Sequence, residues 1–241
     1  MVTLPLFTQP VSSCVWAPDG QSFITGHLDK KHSITQWNVR GKLLYDWDVK
    51  HRVQCLALAP DCSRLVAMNH DTTIYVHNYA ARSLEYEIDI EGKVGSVTIT
   101  ANSRHLLVNK VDGEALIIDL NSGEKIQRFR AHTQLDPKFN IRATLGGANE
   151  NFVVQGSEGT CFLDDFMNML TISGGEIYIW HRENGQIIEM LPGHDKQPCN
   201  SVSWNPTNPQ MFASAGDDGK VRMYVPLPPR KFNTNSTQMD N

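Results

Sequence analysis

Residues 53–78, VQCLALAPDCSRLVAMNHDTTIYVHN, decide the fold of this chain. An apolar run ends at Pro60-Asp61. A second apolar run, residues 65–68, ends in a polar stretch, and a third, residues 74–77, closes the unit. Proline fixes φ and lacks an N–H, and Asp bonds its own backbone two residues on, so Pro-Asp between two short apolar runs reads as a turn between strands. The runs are too short for helices and carry the β-branched and aromatic residues of strands. The unit recurs as residues 12–38 (SSCVWAPDGQSFITGHLDKKHSITQWN), 95–120 (GSVTITANSRHLLVNKVDGEALIIDL) and 199–225 (CNSVSWNPTNPQMFASAGDDGKVRMYV). Strand-like links lie between the copies: KLLYDWDV, SLEYEIDI, KIQRFRAH and QIIEMLPGH.

The spacing is regular. Pro18, Pro60 and Ala101 mark the first turn, and Trp37, His77 and Ile118 mark the third strand, at steps of 40 to 42 residues. Four short strands in a period of about 40–45 residues are the unit of a β-propeller. First strands begin near Val11, Val53, Val94, Asn140 and Asn200, so the expectation is an all-β propeller with about five blades over residues 1–229. The polar residues 230–241 read as a disordered tail. Proline-rich sequence after Val225 is a poor ladder strand, so the last blade is expected to lack its outer strand unless residues 2–8 supply it. An open ring leaves unpaired edges, which makes a truncated seven-bladed ring the expected form.

The fourth copy is irregular. It consists of FNIRATLGGANENFVVQGSEG and GGEIYIWHRENGQIIEMLPGH, separated by residues 160–174, TCFLDDFMNMLTISG. Removing those residues restores the period and joins the flanks as GSEGGEIYIW, parallel to SAGDDGKVRMY in the last copy. Two readings stand: a loop inserted at a β-turn, where insertions are tolerated, or a translated, retained intron. The restored repeat and codons compatible with splice signals at both ends favour the second.

Composition removes other classes. Lys plus Arg is 22 against Asp plus Glu 26, a net charge of −4, without the basic excess of a nucleic-acid binder. No apolar run approaches the roughly 20 residues that span a bilayer. The first residues, MVTLPLFTQP, lack the features of a signal peptide. Cys14, Cys55, Cys62, Cys161 and Cys199 form no CxxC pair, which argues against a zinc site or disulfide scaffold. The expectation is a cytoplasmic protein, with the nucleus as a second location. No GxSxG, HExxH, P-loop or GxGxxG stands in the chain. Asp164-Asp165 falls in the irregular segment, and Asp217-Asp218 precedes Gly219 as a turn. No catalytic, cofactor or metal residue is assigned, and no cofactor is expected.

The repeat resembles WD40. Gly193-His194 precedes Tyr224 by an interval within the range of that family. In WD40 blades a His, a Ser or Thr on strand two, a turn Asp and a Trp on strand three form a structural hydrogen-bond network. The resemblance places His194, Ser214, Asp218 and Tyr224 in those roles, with Tyr replacing Trp. In the fourth blade His132, Ser157 and Trp180 match, with no Asp in the turn. Over about residues 10–226, excluding 160–174, the chain also resembles the family of WD repeat-containing protein 26 and its fungal counterpart, glucose-induced degradation protein 7. The least generic stretch is FNIRATLGGANENFVVQGSE with YIWHR. The resemblance implies a non-catalytic scaffold or substrate-recruiting subunit of a RING ubiquitin ligase of the GID or CTLH type. It would act in proteasomal degradation, in fungi of gluconeogenic enzymes. Its partners would be other ligase subunits and protein substrates, with no nucleic acid or membrane, in a higher-order assembly. The alternative is a generic WD40 adaptor in a signalling or chromatin complex. Residues at the start of each first strand line one face of such a disc. Here they include Arg52, Lys93, Lys138, Asn140, Arg142 and Asn200, whose basic members suggest a ring that binds an acidic peptide.

Overall fold

The computed structural model describes residues 3–4, 9–69, 72–130, 141–158, 160–163, 170–173, 175–195 and 197–225. Among them the chain forms successive antiparallel sheets. The first runs β1 (Val11–Trp16), β2 (Ser22–His27), β3 (Ile34–Asn38) and β4 (Leu43–Trp47), in sequence order. The second repeats this with β5 (Cys55–Leu58), β6 (Arg64–Met68), β7 (Thr73–Asn78) and β8 (Ser83–Asp89). The third uses β9 (Val94–Ile99), β10 (His105–Lys110), β11 (Ala115–Asp119) and β12 (Lys125–Phe129). In the fourth, β13 (Ala143–Gly146) and β14 (Phe152–Gly156) are followed by a separate ladder of β15 (Thr160–Leu163) and β16 (Leu170–Ser173). The sheet resumes with β17 (Ile177–His181) and β18 (Ile187–Leu191). The fifth contains β19 (Cys199–Trp204), β20 (Phe212–Gly216) and β21 (Val221–Tyr224). This is an all-β partial propeller.

Alternation along the middle strands explains the stacking. Successive side chains of a strand point to opposite faces. On β6, Leu65 and Ala67 join a core with Ile24, Ile34 and Trp47 of the first sheet. Val66 and Met68 face the other way, to Val97, Leu106 and Val108 of the third. On β10, Leu107 lies between them in sequence and packs with Ala143, Leu145, Val153 and Trp180 of the fourth sheet. Val154 and Ile177 then pack with Cys199, Val202 and Phe212 of the fifth. A strand buried on both faces needs a near-continuous apolar run, and LVAM and HLLVN supply it. The outer strands are wet, with Leu43, Leu44, Ile187, Ile188 and Met190 exposed. Val221 and Met223 on β21 and Trp16 on β1 are also exposed.

The first turn is built the same way in the first three blades. Asp19, Asp61 and Asn102 each accept, through Oδ1, the backbone N–H two residues on, at 2.8, 2.8 and 3.1 Å. The intervening residue is left-handed each time: Gly20 at φ 64°, Cys62 at 57° and Ser103 at 60°. Only in the first blade is that position a glycine, the residue with no steric penalty there.

The least generic stretch of the sequence is an interblade joint. Gly146 ends β13 where a Cβ would lie 2.0 Å from Trp204 of the fifth sheet. The Trp204 ring stacks on Phe152 at 6.0 Å and its Nε1 donates to the Pro209 carbonyl. Glu150 accepts the Ala101 N–H across the joint to the third sheet. ATLGGANENF therefore couples three consecutive sheets.

β14 pairs directly with β17, from Phe152 opposite His181 to Gly156 opposite Ile177. The ladder of β15 and β16, Thr160 opposite Ser173, stands outside that sheet. The fourth sheet is thus complete without residues 160–173. Asp164-Asp165, the tail from 230 and residues 5–8 lie outside the described residues.

Candidate partner-binding site

The buried polar groups of the blades hold structure together. His194 Nδ1–H donates to Asp218 Oδ1 at 2.6 Å, and His194 Nε2 lies 2.8 Å from Ser214 Oγ. Tyr224 OH is 3.4 Å from that hydroxyl, the longest bond of the set. The four residues placed in this network from the WD40 resemblance are therefore in contact. Asp218 Oδ2 is also 3.3 Å from Arg222 Nη2. Burial alone would raise the Asp218 pKa, but the His194 bond, the Lys220 N–H and the Arg222 guanidinium hold it below the ordinary carboxylate value. Gly216 and Gly193 make room, since a Cβ on Gly216 would meet His194 Cγ at 2.4 Å. One on Gly193 would meet the Gly175 carbonyl oxygen at 1.6 Å. The Gly-His pair is thus required by packing, independently of any ligand.

The other blades vary the device. In the first, Trp37 Nε1–H donates to Thr25 Oγ1 at 3.0 Å and Thr35 Oγ1 at 2.9 Å. His27 Nε2 meets the same hydroxyls at 2.8 and 3.0 Å. The histidine comes from the end of β2 rather than from the link before β1, so sequence alignment to a Gly-His pair does not find it. In the fourth blade Ser157 donates to Glu176 Oε2 at 3.1 Å. Glu176, absent from the sequence assignment, supplies a carboxylate just before β17. Trp180 is buried against Phe129 and Tyr178, and His132 lies outside the described residues. In the third blade Asn109 bonds Ser96 and both polar groups of the Ala143 backbone, tying two blades together.

In the second blade the equivalent of Trp37 is His77. It is 1% exposed, and neither ring nitrogen has a hydrogen-bond partner among the described residues. It meets Trp47 edge-on at 5.9 Å and lies 5.7 Å from His51, which stacks on Tyr75 at 3.7 Å. Burial, with His51 beside it, lowers its pKa to about 4. Burial also lowers His51. Cys199, assigned no chemistry, has its thiol pushed up to about 11 by burial, which makes it a core residue rather than a nucleophile. Among the described residues no group of three or more His, Cys, Asp or Glu side chains is placed to hold a metal ion.

The residues proposed for a partner-binding rim fall at the starts of successive first strands. Arg52 precedes β5, Lys93 precedes β9 and Arg142 precedes β13, all exposed. None of the three makes an ion pair among the described residues. Arg142 bridges in parallel with Ser201, and Asn200 donates to Asp217, so Asn200 is occupied within its own blade. Lys138 and Asn140 lie outside the described residues. Arg52 opens onto a cleft of about 700 Å³ lined by Leu28, Lys30, Lys50, His51, Gln54, Asn69 and Tyr75. Lys30 and Lys50 escaped the sequence assignment. The basic triplet Lys50-His51-Arg52 was the available signal, but nothing in the spacing showed that Lys30, from another turn, joins it.

Comparison with known proteins fits this geometry. Residues 2–38 and 185–224 match the family described as WD domain, G-beta repeat. The chain is 33% identical over 222 residues to GID complex subunit 7 of Schizosaccharomyces pombe, covering 89% of this chain and 39% of that protein. It is 33% identical over 215 residues to a WD repeat-containing protein 26 homolog of Arabidopsis thaliana, covering 88% and 33%. A Drosophila melanogaster WD repeat-containing protein 26 homolog is 28% identical over 211 residues, covering 87% and 30%. The chain spans between 30% and 39% of the length of these relatives.

Proposed function

From a chain that carries WD40 repeats, we propose a non-catalytic, protein-binding subunit of a GID/CTLH-type RING ubiquitin ligase, which scaffolds the assembly and recruits substrates for proteasomal degradation. The similarity to GID complex subunit 7 over 89% of the chain supports the assembly named here. The structure supports the mode of action. The His194 and Asn109 networks are bonded within and between the blades, and Gly146, Gly193 and Gly216 answer to packing, which leaves the loop-bearing face as the place for recognition. A rigid stack of sheets presents such loops without ordering them on binding, so less conformational entropy is lost. By the same reading the protein acts in the cytoplasm and nucleus.

Affinity purification of the gene product from its own cells, followed by mass spectrometry, tests the proposal. Recovery of a RING subunit and other subunits of the ligase is the expected outcome. Recovery of a different stable assembly without any RING subunit refutes it in favour of a general WD40 adaptor. Residues 160–174 are proposed as dispensable to this role. Sequencing transcripts across codons 155–178 shows whether the segment is a retained intron. Near-universal retention would make it a genuine loop.

A further inference from the structure

We propose that the cleft between the first and second sheets docks an acidic segment of a partner protein, with Lys30, Lys50 and Arg52 receiving its carboxylates. This rests on the protein-binding reading above and narrows it to one place and one chemistry. The lining converges from several parts of the chain. Leu28 and Lys30 follow β2, residues 50–54 link β4 to β5, Asn69 follows β6, and Tyr75 lies on β7.

The charge distribution selects the ligand. Among the described residues the lining holds Lys30, Lys50, Arg52 and no carboxylate. Asp29 and Asp48 flank the cations in sequence but do not line the cleft. Lys30, Lys50 and Arg52 form no ion pair among the described residues. Several basic side chains elsewhere are paired: Arg64 with Glu85, Lys110 with Glu114 and Asp112, Lys220 with Asp195, and Arg222 with Asp195 and Asp218. Three unpaired cations facing one cavity, in a chain of net charge −4, make a local field opposite in sign to the whole. Such a field attracts a short acidic stretch and steers its approach. A long polyanion would instead meet the negative remainder of the molecule.

The walls favour a peptide over a lone small anion. A cavity of about 700 Å³ is far larger than one carboxylate or phosphate. Gln54 offers an amide for a peptide backbone, and Leu28 offers apolar surface for a side chain. The loop carrying two of the cations is held in place. The His51 ring stacks on Tyr75 with 5° between planes, and its Nδ1 lies 3.2 Å from the Arg52 carbonyl. The docking groups are therefore positioned before the partner arrives.

The test uses the full chain and fluorescein-labelled hexaglutamate in fluorescence anisotropy. Hexaglutamine and an oligothymidylate serve as comparison probes. Hexaglutamate is expected to bind, to weaken with added salt, and to lose at least about tenfold in affinity in a Lys30→Glu/Arg52→Glu variant. A neutral Lys30→Gln/Arg52→Gln variant gives the same direction if the reversal fails to fold. Lys125→Glu, exposed on β12 and outside the cleft, is expected to stay within about twofold. Undiminished binding by the folded double variants, no preference over hexaglutamine, or tighter binding of oligothymidylate would overturn the proposal. RING-subunit recovery with the same variants separates the two claims. If no RING subunit copurifies even with the wild type while hexaglutamate still depends on Lys30 and Arg52, the ligase reading fails and the cleft stands.

Discussion

Burial of His77 is expected to cost the protein stability as pH falls below 6.5, before ordinary carboxylates titrate. The folded pKa of His77 is lowered to about 4 from the ordinary 6.5. The unfolded chain therefore takes up the proton first as pH falls. Stability is intact above pH 6.5, is lost between 6.5 and about 4, and falls no further on this account below that window. The 2.5-unit gap between those two values corresponds to about 3 kcal/mol, of which about 2 kcal/mol is lost by pH 5. For a domain of this size that is a drop of about 4–8 °C in Tm between pH 7.5 and 5. His27, His51 and His105 are lowered by burial as well and add to the wild-type slope, so the informative quantity is a difference. His77→Phe keeps a flat ring against Trp47 and breaks no hydrogen bond seen among the described residues. Urea unfolding at both pH values should show the variant losing about 2 kcal/mol less than wild type on acidification. Ring-carbon NMR shifts of wild-type His77 should remain those of a neutral imidazole down to pH 5. Parallel losses in the two proteins, or a His77 ring that titrates near 6.5, would refute the reasoning.

Gly146→Ala forces a methyl into the Trp204 indole, 2.0 Å from the nearest ring atom, and should destabilise by about 2–3 kcal/mol in urea. A change within about 0.5 kcal/mol would show that the joint between the fourth and fifth sheets gives way freely. Cys62→Gly relieves a left-handed residue at φ 57° and should stabilise by about 0.5–1 kcal/mol, read as a raised urea midpoint with unchanged slope. Deletion of residues 160–174 leaves the β14–β17 ladder intact and should move Tm by less than about 4 °C; collapse of the fold would show that the segment supports the blade.

The sheets were legible because both faces of each inner strand must be apolar, and because Pro18-Asp19, Pro60-Asp61 and Ala101-Asn102 punctuate them at a fixed interval. The irregularity of the fourth copy was visible too, since a period exposes any surplus. The Ser214, Asp218 and Tyr224 partners of His194 followed from a motif with fixed spacing. Glu176 did not, because a glutamate one residue before β17 reaches Ser157 only through the approach of β14 and β17. His27 was missed because it replaces, from inside β2, a residue expected in another segment.

The sequence alone determined the number of strands per repeat, their order and their turns, since these depend on neighbours a few residues apart. The tertiary structure alone decided which cations share a space. Lys30 and Arg52 belong to different repeat elements and come together only when the first two sheets pack along Ile24, Leu56 and Leu65. It also decided that His77 is a buried, neutral ring, because its environment is made by Trp47 and His51 from the neighbouring links. Local periodicity encodes strands, whereas charge and burial at a cleft depend on side chains brought together by the packing of one sheet against the next.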